Sequence, residues 1–233
     1  MLIILILIPI VAVGLKLLSL HFKYSDSNYR AASGNSFFKT IFDKGNYGEF
    51  LTFANLEKLG DQHKLMTNLY IPRDDGTTTE IDLIMISQTG IYVLESKNYS
   101  GWIFGDEKYK NWTQTFDNGQ KNRFYNPIWQ NKAHINALKT VINSDNDNLY
   151  KSYIIFSQRC TLKKINVTSP NVKVIKRDQL IKTIKQDIDD SPKLLTPDEV
   201  NQLYLSLQKY ANADEAVKQA HIENIKSRAT YAE

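Results

Sequence analysis

The sequence predicts an α/β (α+β) domain, a mixed central sheet flanked by helices, preceded by one transmembrane helix. Three observations predict it. Amphipathic helical patterns alternate with short apolar strand patterns in the order helix, several strands, helix, strand, which is the pattern of a sheet covered by helices. The segment 80–98, EIDLIMISQTGIYVLESKN, reads as two apolar strands around a short turn. The first 20 residues, MLIILILIPIVAVGLKLLSL, carry no charge before Lys16, and about 20 apolar residues span a bilayer.

The N-terminal run lacks the basic start of a signal peptide, so a retained anchor over 1–22 is expected. Lys16, Lys23 and Arg30 all lie near or after its end. By the positive-inside rule this single-pass protein has its N-terminus outside and its soluble domain in the cytoplasm. The single cysteine, Cys160, excludes an internal disulfide and agrees with a reducing compartment. Residues 23–44 have little periodicity and read as a juxtamembrane tether.

The soluble elements follow in order. Asn46 can cap a helix to about Leu59, with Tyr47, Phe50, Leu51 and Ala54 on one face and Gly60 ending it. LMTNLYI at 65–71 reads as a strand closed by Pro72. Short strands are expected at 102–105 and 108–116. Asn126-Pro127 starts a helix that runs to about Ile142, with Ile128, Ile135, Leu138 and Ile142 as its buried stripe. SYIIFS at 152–157 and VKVI at 172–175 are further strands, and helices follow near 177–187 and 197–210. The expected organisation is a domain over 45–157, an extension over 158–210 that completes it, and a polar helical tail over 211–233.

The chain holds 29 basic and 25 acidic residues, a net charge of +4. The charge is uneven. Residues 16–44 have five basic against two acidic, and residues 97–139 seven against three, whereas residues 45–96 have three against eight. A general nucleic-acid-binding character does not follow from the total. No Walker loop, zinc-type Cys/His spacing or Ser-His-Asp signature is present.

The acidic segment contains the hairpin, and alternation sorts its side chains. Asp82, Ile84 and Ile86 share one face, and Ile91, Val93, Glu95 and Lys97 share one on the next strand. If Ile86 pairs with Ile91, Asp82 falls opposite Glu95, and Lys97 opposite Glu80. Cβ atoms of opposed residues lie about 4.5–5.5 Å apart, where like charges repel. Two buried carboxylates at that spacing need a cation or a shared proton. Mg²⁺ or Mn²⁺ held by Asp82 and Glu95 is one solution, with Lys97 beside an attacking water. A structural Glu95–Lys97 salt bridge with a solvated Asp82 is the other.

These residues resemble a known family. GNYGEF at 45–50, NLYIP at 68–72, TEIDLIMISQTGIYVLESKNYSGWIFG at 79–105 and FYNPIWQNKAHINALK at 124–139 together resemble the NERD (nuclease-related) domain of the PD-(D/E)xK nuclease superfamily. The resemblance implies a restriction-endonuclease-like core and Mg²⁺- or Mn²⁺-dependent cleavage of DNA. It implies Asp82 and Glu95 as metal ligands, and Lys97, Glu49 and Gln130 as catalytic residues. Ile81 stands where the superfamily name has proline. Glu49 also fits a helix-start pattern with Asn46. His134, one turn from Gln130, is a candidate substrate contact, as are Lys132 and Arg123 among the basic and aromatic residues of 108–132. The alternative is a catalytically silent, membrane-tethered module that binds nucleic acid or a protein.

Overall fold

A computed structural model describes residues 2–73, 75–211 and 213–230, and for residues 2–7 and 225–230 the backbone alone. The expected anchor therefore falls partly outside the described residues. Within them, α1 spans Leu2–Ser25, and no helix is long and apolar enough to cross a membrane.

Residues 23–44 depart from the expected tether. Tyr24 and Tyr29 are buried, and the segment forms two short helices, α2 (Tyr29–Ser33) and α3 (Phe37–Phe42). The aromatic side chains that periodicity did not register explain this: Tyr24 and Tyr29 pack edge-on or tilted against Phe50 of the next helix. That helix, α4 (Lys44–Leu56), is capped by Asp43 rather than Asn46, because the Asp43 carboxylate accepts from Asn46 N at 2.8 Å. Glu49 therefore lies inside the helix and has no capping role.

The strands form two sheets where one was expected. The first has the order β1-β2-β3-β7-β9, built from Lys64–Pro72, Thr78–Ser87, Gly90–Lys97, Tyr150–Phe156 and Val172–Lys176. β1, β2 and β3 are antiparallel, whereas β7 and β9 join in parallel. The second has the order β6-β5-β4-β8, from Lys121–Tyr125, Asn111–Thr115, Gly101–Asp106 and Cys160–Asn166. β6 and β8 escape a pattern-based reading because both are largely exposed and polar.

Helices cover both faces of the first sheet. α5 (Pro127–Ile142) and α7 (Pro197–Leu207) pack over Ile84, Ile86, Ile91 and Val93. α4 and α6 (Leu180–Asp190) pack over Leu83, Met85, Tyr92 and Leu94. α8 (Glu215–Thr230) ends the described chain. The second sheet has its own small core of Ile103, Trp112 and Cys160, joined to the first through Phe156 and Ile128. Trp112 lies flat over Gly105, where a Cβ would come within 2.2 Å of its ring.

Two features of the first sheet prepare the site. The register is as expected, with Ile86 opposite Ile91 and Ile84 opposite Val93. The ladder then stops at Leu83–Leu94, one step short of Asp82 and Glu95. On the other side, Asn68 of β1 adopts φ 55°, a left-handed conformation that asparagine tolerates better than most residues. Face alternation changes parity there. Ile84 and Ile86 lie in the core under α5 and α7, and so does Ile81 beyond the kink.

Candidate functional site

The site forms where β2 and β3 part. The Asp82 carboxylate accepts from Ser96 N at 2.9 Å, occupying a donor that a continued ladder would have used. Glu95 is 2% exposed, and both its oxygens are engaged. Oε1 accepts from Lys97 Nζ at 2.6 Å, and Oε2 faces His134 Nε2 at 3.2 Å. Lys97 Nζ also donates to Gln130 Oε1 at 3.0 Å. Gln130 and His134 stand one turn apart on α5, so one helix face reaches both the lysine and the glutamate.

Glu49 enters from the opposite helix. Gly48 makes this possible: a Cβ there would meet Asn98 Cβ at 2.9 Å and Ser96 Oγ at 3.3 Å, so α4 approaches the end of β3 only because residue 48 has no side chain. The Tyr29 hydroxyl, which donates to Asn46 O at 3.4 Å, lies beside Glu49.

Electrostatics divide the carboxylates. Burial raises the Glu49 pKa to about 8, helped by the charges of Glu80, Glu95 and Asp43. Burial and the neighbouring Glu95 and Glu49 likewise hold Asp82 well above the usual carboxylate range. Burial also acts against ionisation of Glu95, but Lys97 and His134 outweigh it and hold that group at about 2. Burial disfavours the Lys97 charge, and Glu95 and Asp82 outweigh it in turn, raising its pKa. One ammonium thus serves a cluster with more carboxylates than cations.

The structure brings together Glu49, Asp82, Glu95, Lys97, Gln130 and His134, and leaves two predicted residues apart. Lys132 lies about 200° around α5 from the face that carries Gln130 and His134, exposed beside a cavity with Lys139 and Asp147. Arg123 is exposed on β6, opposite Thr113. His134, predicted to touch substrate, is 4% exposed and committed to Glu95. The expected pairing of Lys97 with Glu80 is also absent. The parity change at Asn68 turns Glu80 outward, where it accepts from the Tyr70 hydroxyl at 2.7 Å and lies 3.9 Å from His221 Nε2.

Sequence reasoning missed a supporting chain behind His134. Arg73 Nη2 donates to Thr79 Oγ1 at 2.8 Å, and Thr79 Oγ1 lies 2.8 Å from His134 Nδ1. Glu95, held ionised, can only accept, so His134 Nε2 carries the proton that faces it. The one advance signal was Asn68, a strand residue able to take positive φ.

As a cation site the arrangement offers oxygen donors, the chemistry of Mg²⁺ or Mn²⁺ rather than of softer metals. Among the described residues no three His, Cys, Asp or Glu side chains form a ready-made metal cage.

A family model described as the nuclease-related domain, NERD, matches residues 44–157, a span that holds every residue of the cluster. A Bacillus anthracis protein described only as an uncharacterized protein is 34% identical over 186 residues, which cover 79% of this chain and 85% of that one. No solved structure matches significantly. With the Asp82, Glu95 and Lys97 cluster inside the matched span, this chain belongs to the NERD, nuclease-related-domain, family.

Proposed function

We propose that the chain is a metal-dependent nuclease that hydrolyses DNA phosphodiester bonds where β2 and β3 part. The crowding of Glu49, Asp82 and Glu95 around the single ammonium of Lys97 carries this reading. Such a cluster is short of positive charge, and a divalent cation would supply it. Asp82 and Glu95 would hold Mg²⁺ or Mn²⁺. Bound there, the ion would supply Lewis-acid polarisation of the phosphate and a more acidic water.

The remaining roles belong to side chains. Lys97, steadied by Gln130, offsets charge on the phosphoryl oxygens. Glu49 retains a proton at neutral pH in the metal-free state. His134 fixes the orientation of Glu95. Lys108, Lys110, Lys121 and Arg123 are exposed on the second sheet near exposed Tyr109 and Tyr125. Cations beside aromatic faces suit phosphate contact and base stacking, which supports DNA as the substrate. The exposed apolar side chains of α1, Ile8 to Leu18, support attachment to a membrane through residues 1–22, with the domain on the cytoplasmic side.

One observation favours a second reading. Lys97 and His134 already occupy both oxygens of Glu95, as in a closed ion-pair network of a silent binding module. Cleavage decides between the two. The full chain in nanodiscs is incubated with linear, circular or single-stranded DNA and Mg²⁺ or Mn²⁺, beside Lys97→Ala and Asp82→Asn. The nuclease reading predicts metal-dependent cutting that falls by about 10²-fold or more in each variant. DNA binding without cutting by all three proteins supports the silent module.

A further inference from the structure

We infer that α3 is a membrane-interface foot, with Phe38 and Phe42 seated among the headgroups of an anionic bilayer and fixing how the nuclease-like domain sits on it. This rests on the reading of α1 as a membrane attachment.

Phe38 and Phe42 are 69% and 76% exposed, among the most exposed large apolar side chains described. They occupy i and i+4 of a six-residue helix, and their rings lie parallel, 6.2 Å apart at 5°. A pair of exposed, stacked phenylalanines has no role in the core of this domain. It is not mobile decoration either, because α3 is locked to the end of α1. Phe37 packs edge-on against His21 at 5.0 Å and Tyr24 at 5.5 Å, and Phe38 packs against Phe37 at 5.5 Å. Phe37 thus holds α3 against the last turns of α1, the part of the helix that also carries Phe22, itself 60% exposed.

The character of α1 identifies the occupant. Ile8, Ile10, Val11, Val13, Leu15 and Leu18 are all more than half exposed, and with the exposed Pro9 and Ala12 between them the positions run around the whole helix rather than along one stripe. A partner helix would need a stripe; a lipid surface accepts the full circumference. From Ile8 to His21 the helix rises roughly 20 Å, about two-thirds of a hydrocarbon core of roughly 30 Å. α3 lies beyond the apolar part of that rise, at the depth where aromatic belts form. Charge agrees. Lys16, Lys23, Arg30, Lys39 and Lys44 outnumber Asp26 and Asp43 between residues 16 and 44, the balance that draws a segment to anionic headgroups.

The test reads depth at defined positions of the full chain. Phe38→Cys, Leu15→Cys and Asn118→Cys are each labelled with an environment-sensitive fluorophore; Cys160 is buried and leaves the label to the introduced thiol. Each protein is added to vesicles of phosphatidylcholine with and without phosphatidylglycerol, some carrying brominated acyl chains. The inference predicts a several-fold rise in emission at position 38 with shallow quenching, deep quenching at 15 and no change at 118, an exposed position on the β5–β6 turn of the second sheet. It also predicts a weaker response without phosphatidylglycerol, and several-fold weaker vesicle binding by unlabelled Phe38→Ser/Phe42→Ser. A response at 15 without one at 38 would overturn the foot and leave the attachment standing. No response at either would overturn both, and an equal response on uncharged vesicles would overturn the headgroup preference.

Discussion

Two places in this molecule concentrate acidic side chains, and they are built in opposite ways. At the parting of β2 and β3, Glu49, Asp82 and Glu95 share one lysine, and two of the three are pushed up towards their neutral forms. At the junction of β4 and β8, Glu107 accepts from Thr168 N at 2.7 Å, Ser169 N at 3.0 Å, Thr168 Oγ1 at 3.0 Å and the Ser169 hydroxyl. Burial works against ionisation of Glu107 too, but those donors outweigh it and hold the group at about 2. Beside it Asp106 accepts from Lys108 N at 2.9 Å and Asn166 at 3.0 Å. The second cluster is complete in itself and acts as architecture. The first is incomplete, and what it lacks is positive charge.

The two glycines give the sharpest way to break this contrast. In Gly105→Ala the new Cβ meets three Trp112 ring atoms at 2.2–2.4 Å. Overpacking costs about 1–3 kcal/mol, and this contact sits at the upper end. The expected result is a lower thermal midpoint, with the metal response of the folded protein retained. In Gly48→Ala the clash falls on Asn98 and Ser96, so α4 withdraws and takes Glu49 with it. The loss expected there is mainly of activity. Thermal melts beside cleavage rates separate them, and parallel losses in both would show that the sites are not distinct.

His134 comes next. His134→Gln keeps an N–H near the position of Nε2, and His134→Phe removes it. Loss of such an orienting group costs about 10–100-fold in metal affinity or activity. Gln is expected to recover most of what Phe loses, at similar stability. Equal deficits would assign His134 to packing alone.

The smallest effect is expected at Glu107. Its folded pKa is depressed from 4.5 to about 2. Its contribution to stability is therefore complete above pH 4.5 and is lost as pH falls towards 2. Wild type should be more stable than Glu107→Gln at neutral pH, and the gap between their thermal midpoints should close through that window. A gap that stays constant would mean the carboxylate charge does not matter there.

The same contrast explains what the sequence made legible. The hairpin was readable because apolar alternation and the turn at Gly90 fix Ile86 against Ile91; that register carries the ladder as far as Leu83–Leu94, and the Asp82 carboxylate then reaches Ser96 N beside Glu95. Lys132 could have been excluded from its helical position relative to Gln130 and His134. Other features were not local. Arg73 and Thr79 reach His134 only because the kink at Asn68 changes which face Thr79 occupies. β6 and β8 bury too little to leave a periodic mark. Asp43, not Asn46, caps α4 because the preceding α3 delivers the chain there in an extended conformation.

Binding of Mn²⁺, followed by calorimetry on the full chain and on Asp82→Asn without DNA, tests the central claim most directly. The account predicts saturable binding in the wild type, with release of protons as the raised carboxylates ionise, and its loss in Asp82→Asn. Equal binding by both proteins, or none by the wild type, would contradict it.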